Sequence, residues 1–292
     1  MGQSQMVLSY LVNGLMMGSI YALMAIGLAL ILGVLRIVNF AHGEFYMWAA
    51  YISYFCGTVL GLSPYLSAVF AMTFAFILGV ATERLLITPF YSGKAVGDYD
   101  LLITFALSFF LINLAVRVFG PYQVAAPALA QGFVKIGPLS VSAGRLLAAV
   151  LALTMLIALL QVIRRTVVGI TLRATSQDRE VAAAMGVNVS RISTLGFGIG
   201  GLLAGASGAL LGPIFVVAPM MGELPSGKSF VILVLGGMGS IKGALLGALM
   251  LGVFENLGVL LLSPSYRDAY GFLVLVLVLL VKPTGLFGGE TL

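Results

Sequence analysis

The sequence predicts an all-α, polytopic transmembrane helical bundle of about eight to nine membrane segments, one of them short or re-entrant, with a short helix at the cytoplasmic face. Three observations lead there. Hydrophobic residues make up 61% of the 292 positions and charged residues only 9%, against about 25% charged in soluble domains. The mean hydropathy is +1.13, more apolar surface than an interior can hide, so much of it must face lipid. The apolar residues also fall in separated runs of spanning length, with the basic residues between them.

The runs lie near 6–35, 43–61, 63–83, 100–119, 145–163, 191–213, 241–262 and 266–281. The first basic residue is Arg36, so the opening run lacks the charged flank of a cleaved leader and reads as a retained span. The Pro- and Gly-rich stretch 120–144 reads as a small extended excursion on the outer face. Residues 230–240, "FVILVLGGMGS", are too short for a full crossing and suit a half-helix, a re-entrant segment or a short tilted crossing. No soluble domain interrupts the chain, so 1–292 is expected to be one transmembrane domain.

Orientation follows from the basic residues. With 164–190 placed in the cytoplasm, Arg36, Arg84, Lys94, Arg164, Arg165, Arg173, Arg179, Arg191, Lys242 and Lys282 fall inside, ten of the fifteen Lys and Arg. Lys135, Arg145, Lys228 and Arg267 fall outside, with Arg117 near the outer end of its span. The formal charge of +5 then fixes topology and is no nucleic-acid footprint. One cysteine, Cys56, and one histidine, His42, leave neither a disulfide framework nor an evident metal set.

Residues 222–229, "GELPSGKS", match the phosphate-cradling G-x-x-x-x-G-K-S pattern. The context refuses it. The segment is expected on the outer side, an apolar membrane run follows it, and Pro225 removes an amide that a cradle could use. Lys228 is read as an anchor beside the membrane. Glycines four apart at Gly196/Gly200, Gly201/Gly205, Gly208/Gly212 and Gly239/Gly243/Gly247 allow close helix approach, which suits internal packing ahead of a subunit interface.

The most informative polar stretch is "RATSQDREVAAAMGVNVSR", 173–191. Thr175 or Ser176 is placed to cap a helix, Asp178 and Glu180 suit its first turn, and Gly186 suits its end. The helix is expected to run about ten residues. Val181, Met185 and the alanines give it an apolar face beside Arg173, Gln177 and Arg179. It is too short and polar to span, and could dock into a groove on another protein or simply be a solvated connection.

Glu180-Val181-Ala182 followed after three residues by Gly186 resembles the E-A-A-x-x-x-G loop of bacterial ABC-importer permeases, with Val181 in place of an alanine. Residues 13–51, 172–189, 235–247 and 282–288 together resemble the branched-chain amino-acid (LIV-type) ABC importer permease family, in order along nearly the whole chain. The resemblance implies a multi-pass permease subunit of the bacterial cytoplasmic (inner) membrane, without catalysis of its own. It implies a second, related permease chain, two cytosolic ABC ATPases that carry the ATP and magnesium, and an extracytoplasmic solute-binding protein. This chain would bind no cofactor. Residues 164–190 become the coupling loop, with Arg173, Ser176, Gln177, Asp178, Arg179, Glu180, Ala182, Met185 and Gly186 meeting the ATPase. The implied substrate is a branched-chain or related small amino acid.

The resemblance also marks "NFAHGEF" as a signature. Asn39 is expected to cap the second span and Gly43 to make a tight turn, with His42 and Glu44 supporting the coupling region from the cytoplasmic face. Glu255-Asn256 lies inside an apolar run, where a carboxylate is paired or faces a cavity. Arg117 is the expected partner, and the other reading has Glu255 lining the route. Glu255 is also the one feature that suits the alternative function, a stand-alone secondary transporter or channel.

Overall fold

A computed structural model describes residues 3–91, 99–137 and 139–287; Lys94 falls outside them. Helix α1 (Gln3–Leu35) is followed by α2 (His42–Tyr54), which runs on as a π-helix through Phe55–Val59. Helix α3 (Pro64–Thr82) likewise runs on as a π-helix, Glu83–Ile87, into the single turn α4 (Thr88–Tyr91). Then come α5 (Tyr99–Phe119), the strands β1 (Phe133–Ile136) and β2 (Leu139–Ser142), α6 (Ala143–Arg165), α7 (Val167–Gln177) and α8 (Arg179–Ala184). The chain closes with α9 (Val189–Leu211), α10 (Glu223–Gly236), α11 (Ile241–Leu261), a 3₁₀ turn (Pro264–Tyr266) and α12 (Arg267–Val281).

Among the described residues, seven helices are long and apolar enough to cross a membrane. The all-α polytopic expectation holds, and helix boundaries fall within a few residues of the apolar runs. The excursion at 120–144 carries the antiparallel β1–β2 hairpin, and Val124 bridges to Val217 of a second loop.

Helices α1 and α9 form the buried centre, and α5, α6 and α12 present apolar flanks outward. Lipid gives no hydrophobic gain when two apolar helices pair, so backbone proximity must supply the attraction. Glycines provide it. Gly14 and Gly18 of α1 lie on the backbone of α11 at Gly252 and Ala248, Gly27 lies on Gly200 of α9, and Gly201 lies on Ala75 of α3. The glycine rows therefore serve internal packing. Gly239 differs, sitting in the α10–α11 turn with φ of 85°.

Two crossings are discontinuous. Arg36 ends α1 with φ of 58°, a left-handed turn that costs roughly 1 kcal/mol or more. The chain then runs back along α1, so that His42, at the start of α2, reaches the Met24 carbonyl. That point is roughly 16 Å from the end of α1 at ~1.5 Å per residue. Helix α10 has 14 residues, about 21 Å, short of a ~30 Å hydrocarbon core. The irregular 212–222 supplies the remainder. The two breaks meet where Gly43 packs on Gly222: a Cβ on either would strike the other's carbonyl oxygen. Irregular backbone at such depth survives because protein surrounds it.

Candidate functional site

Two constellations stand at opposite ends of the bundle. At the basic end, α7 and α8 form an elbow. Thr166 caps α7 by accepting from the Gly169 N–H, and Arg173 donates to the Ile163 carbonyl, tying α7 to the end of α6. Asp178 caps α8, its Oδ1 accepting from the Glu180 and Val181 N–H groups at 2.9 and 3.0 Å. The cap is thus not Thr175 or Ser176, which are buried in the last turns of α7, and the expected ten-residue helix is two helices with a break at Asp178. Gly186 ends the unit with φ of 86°.

The faces of this elbow divide. Ala182 is buried, whereas Val181 and Met185 are 59% and 81% exposed, flanked by exposed Gln177 and Glu180. Arg179 points inward. It donates to the Leu35 carbonyl at 3.5 Å and to Ser193 Oγ at 3.3 Å, and its charge acts on Asp100 in the first turn of α5. One residue of α8 therefore touches the end of α1 and the start of α9, with α5 within electrostatic reach.

The signature lies elsewhere than expected. Asn39, His42 and Glu44 are buried at the α1–α2 break and not on the cytoplasmic face. Asn39 does not cap α2: its Oδ1 accepts from the Ala41 N–H at 3.0 Å, and α2 begins without a side-chain cap. His42 Nε2 donates to the Met24 carbonyl at 3.0 Å. Gly43 serves the contact with Gly222 and makes no tight turn. Phe40 packs against Phe230 of α10 with the rings tilted by 37° and 5.5 Å between centroids, so the signature joins the two broken crossings.

Toward the opposite end, Glu255 on α11 is fully buried and pairs with Lys228 of α10 at 2.8 Å and with Arg267 of α12 at 3.4 Å. This replaces the expected Arg117 pairing. Lys228 also holds Asp268 at 2.8 Å, lies 3.4 Å from the Tyr21 hydroxyl and stands over its ring at 5.0 Å. Neighbouring Asn256 donates to the Gly252 carbonyl within its own helix. The phosphate-cradle pattern is helical from Glu223 onward, and its lysine belongs to this cluster, so Lys228 is no surface anchor. Two cations balance two anions, and Glu255, counter-ion to both cations, is not a lone proton acceptor.

The sequence does not announce that Lys228, Arg267, Asp268 and Tyr21 gather around Glu255. The available signal was the carboxylate itself, since a buried Glu255 requires a buried cation. Lys228, directly before the apolar run of α10, was such a cation.

Comparison with known proteins accords with this architecture. The family model described as the branched-chain amino acid transport system / permease component matches residues 10–281. The high-affinity branched-chain amino acid transport system permease protein LivH of Escherichia coli is 36% identical, covering 96% of this chain and 95% of LivH. The corresponding BraD of Pseudomonas aeruginosa is 35% identical over 96% of this chain and 95% of its own length. Among solved structures, PsaBC from Streptococcus pneumoniae in complex with Fab aligns with 95% of this chain and 94% of its own at 16% identity and a TM-score of 0.44, a likeness too loose to carry an argument. With a family match over nearly the full length and relatives above one-third identity, the chain belongs to the branched-chain amino-acid ABC transporter permease family, multi-pass proteins of the bacterial inner membrane.

Proposed function

We propose that this chain is the non-hydrolytic translocating subunit of an importer for branched-chain or similarly small apolar amino acids. It works with a second, related permease chain, two cytosolic ATPases that hold ATP and magnesium, and an extracytoplasmic binding protein that delivers substrate. The relatives support the substrate class and the kind of assembly. The α7–α8 elbow supports the mechanism, and one observation carries it: Arg179 links an otherwise exposed short helix to the ends of α1 and α9.

ATP-driven closure of the ATPases pushes on Val181 and Met185, which are exposed enough to be gripped. The elbow transmits that push through Arg179 to α1 and α9, the two most buried of the seven helices long enough to span. The bundle then rearranges where its crossings are broken and least bound by helical hydrogen bonds. The test is reconstitution with the cognate partners in proteoliposomes. Leucine uptake and ATP hydrolysis, both stimulated by loaded binding protein, are expected, and cysteine substituted at Met185 should cross-link to the ATPase. Hydrolysis by this chain alone, or no cross-link at Met185, refutes the assignment.

A further inference from the structure

Beside the buried charge cluster lies a cavity of about 320 Å³, at the lower end of the ~300–1,000 Å³ range of small-molecule sites. One wall is apolar, formed by Leu211, Phe215, Met221 and Leu224; the other carries Lys228, Arg267 and Asp268. The charged wall is not uniform. Glu255 is sealed in with 0% of its side chain exposed, while Asp268 is 46% exposed at the rim. Lys228 is thus held by one fixed carboxylate and one replaceable carboxylate. The Arg267 Nε is buried and makes no hydrogen bond to any described residue, although it stands 3.4 Å from Glu255. The wall offers a cation whose second partner can leave and an anion at the rim, with the Arg267 guanidinium beside them.

We infer that this cavity is a way-station for an α-amino acid with an aliphatic side chain. It deepens, and rests on, the importer reading above. The substrate carboxylate takes the place of Asp268 on Lys228 and accepts from Arg267. The freed Asp268 receives the substrate ammonium, and the aliphatic chain lies against Leu224 and Phe215. One ion pair becomes two with no change in net charge, so no uncompensated charge is created in the membrane. A molecule with only one of the two charges would either leave Asp268 without a cation or draw it from Lys228 with no carboxylate in exchange, and it is disfavoured for that reason. The site lies near the 212–222 loop and the start of α12, at the end away from the elbow, as suits a stop before the gate.

The single native cysteine makes the test direct. Leu224→Cys in a Cys56→Ala background is labelled with a methanethiosulfonate reagent in right-side-out vesicles carrying the complete transporter. L-Leucine should slow labelling roughly fourfold at about three times its dissociation constant. 4-Methylpentanoate, which lacks the ammonium, and 3-methylbutylamine, which lacks the carboxylate, should not. Asp268→Asn should abolish protection by leucine while the chain still co-purifies with its partners. Leucine uptake by the wild-type transporter, measured in matched vesicles, separates the two ideas. No uptake refutes the importer reading. Uptake with no protection, or with equal protection by both analogues, overturns the site and leaves the importer standing.

Discussion

The elbow and the buried charge cluster both use ionic groups, and they use them in opposite ways. The elbow's caps and charges are mostly local: Asp178 satisfies amides two and three residues away, whereas Arg179 reaches across the fold. The cluster is built from α10, α11 and α12, with Tyr21 of α1 beside it, and its central carboxylate is sealed from solvent. In water a lost surface charge costs little, but a buried ion left without its partner costs several kcal/mol. The cluster should therefore decide whether the bundle holds together. The elbow should decide whether it responds.

The largest expected effect comes from splitting the cluster. Glu255→Ala leaves the half-buried Lys228 and Arg267 sharing a single rim carboxylate and should cost about 3 kcal/mol, the low end for a broken buried pair because both cations keep some solvent, seen as loss of monodisperse protein and a lower melting temperature in detergent. Pairing it with Lys228→Met should recover most of that loss but no transport. If Glu255→Ala melts like the wild type, the cluster is not what joins α10–α12. Next is Gly43→Ala, whose added methyl meets the Gly222 carbonyl with backbone on both sides. A cost of roughly 1–3 kcal/mol is expected, read in the same melting assay.

Arg179→Ala should leave the melting temperature nearly unchanged and lower uptake per ATP hydrolysed by roughly 2- to 30-fold, the range of ~0.5–2 kcal/mol in coupling. A proportional fall in uptake and hydrolysis would show that Arg179 serves assembly and not transmission. The smallest effect belongs to Asp178→Ala, which removes a helix cap worth about 1 kcal/mol. Uptake should drop less than twofold, and Asp178→Asn should be silent.

The same contrast explains what could be read in the sequence. Spans were legible because every residue of α1, α3, α5, α6, α9 and α11 reports on its own surroundings through its polarity. The elbow does not follow that rule: apolar Val181 and Met185 are exposed while charged Arg179 turns inward. The cap was misplaced because Thr175, Ser176 and Asp178 are all good caps, and only the continuation of α7 to Gln177 selects among them. Depth was not legible. "NFAHGEF" looks like a surface loop because it is polar, yet its groups find the Met24 carbonyl and the Ala41 amide inside the protein. Lateral order was hidden as well. Arg117 and Lys228 were both placed toward the outer side, and nothing local says that α10 and not α5 lies beside α11.

The pairing of α1 with α9 and α11 also bears on biogenesis. Helix α1 is the most enclosed of the seven spanning helices, and its neighbours α9 and α11 are made about 150–200 residues later. At ~5–20 residues per second that is a wait of roughly 10–40 s, during which Gly14, Gly18 and Gly27 face acyl chains or a membrane-resident chaperone. Chains stopped after α6 should accordingly be degraded quickly, however well each of their helices inserts.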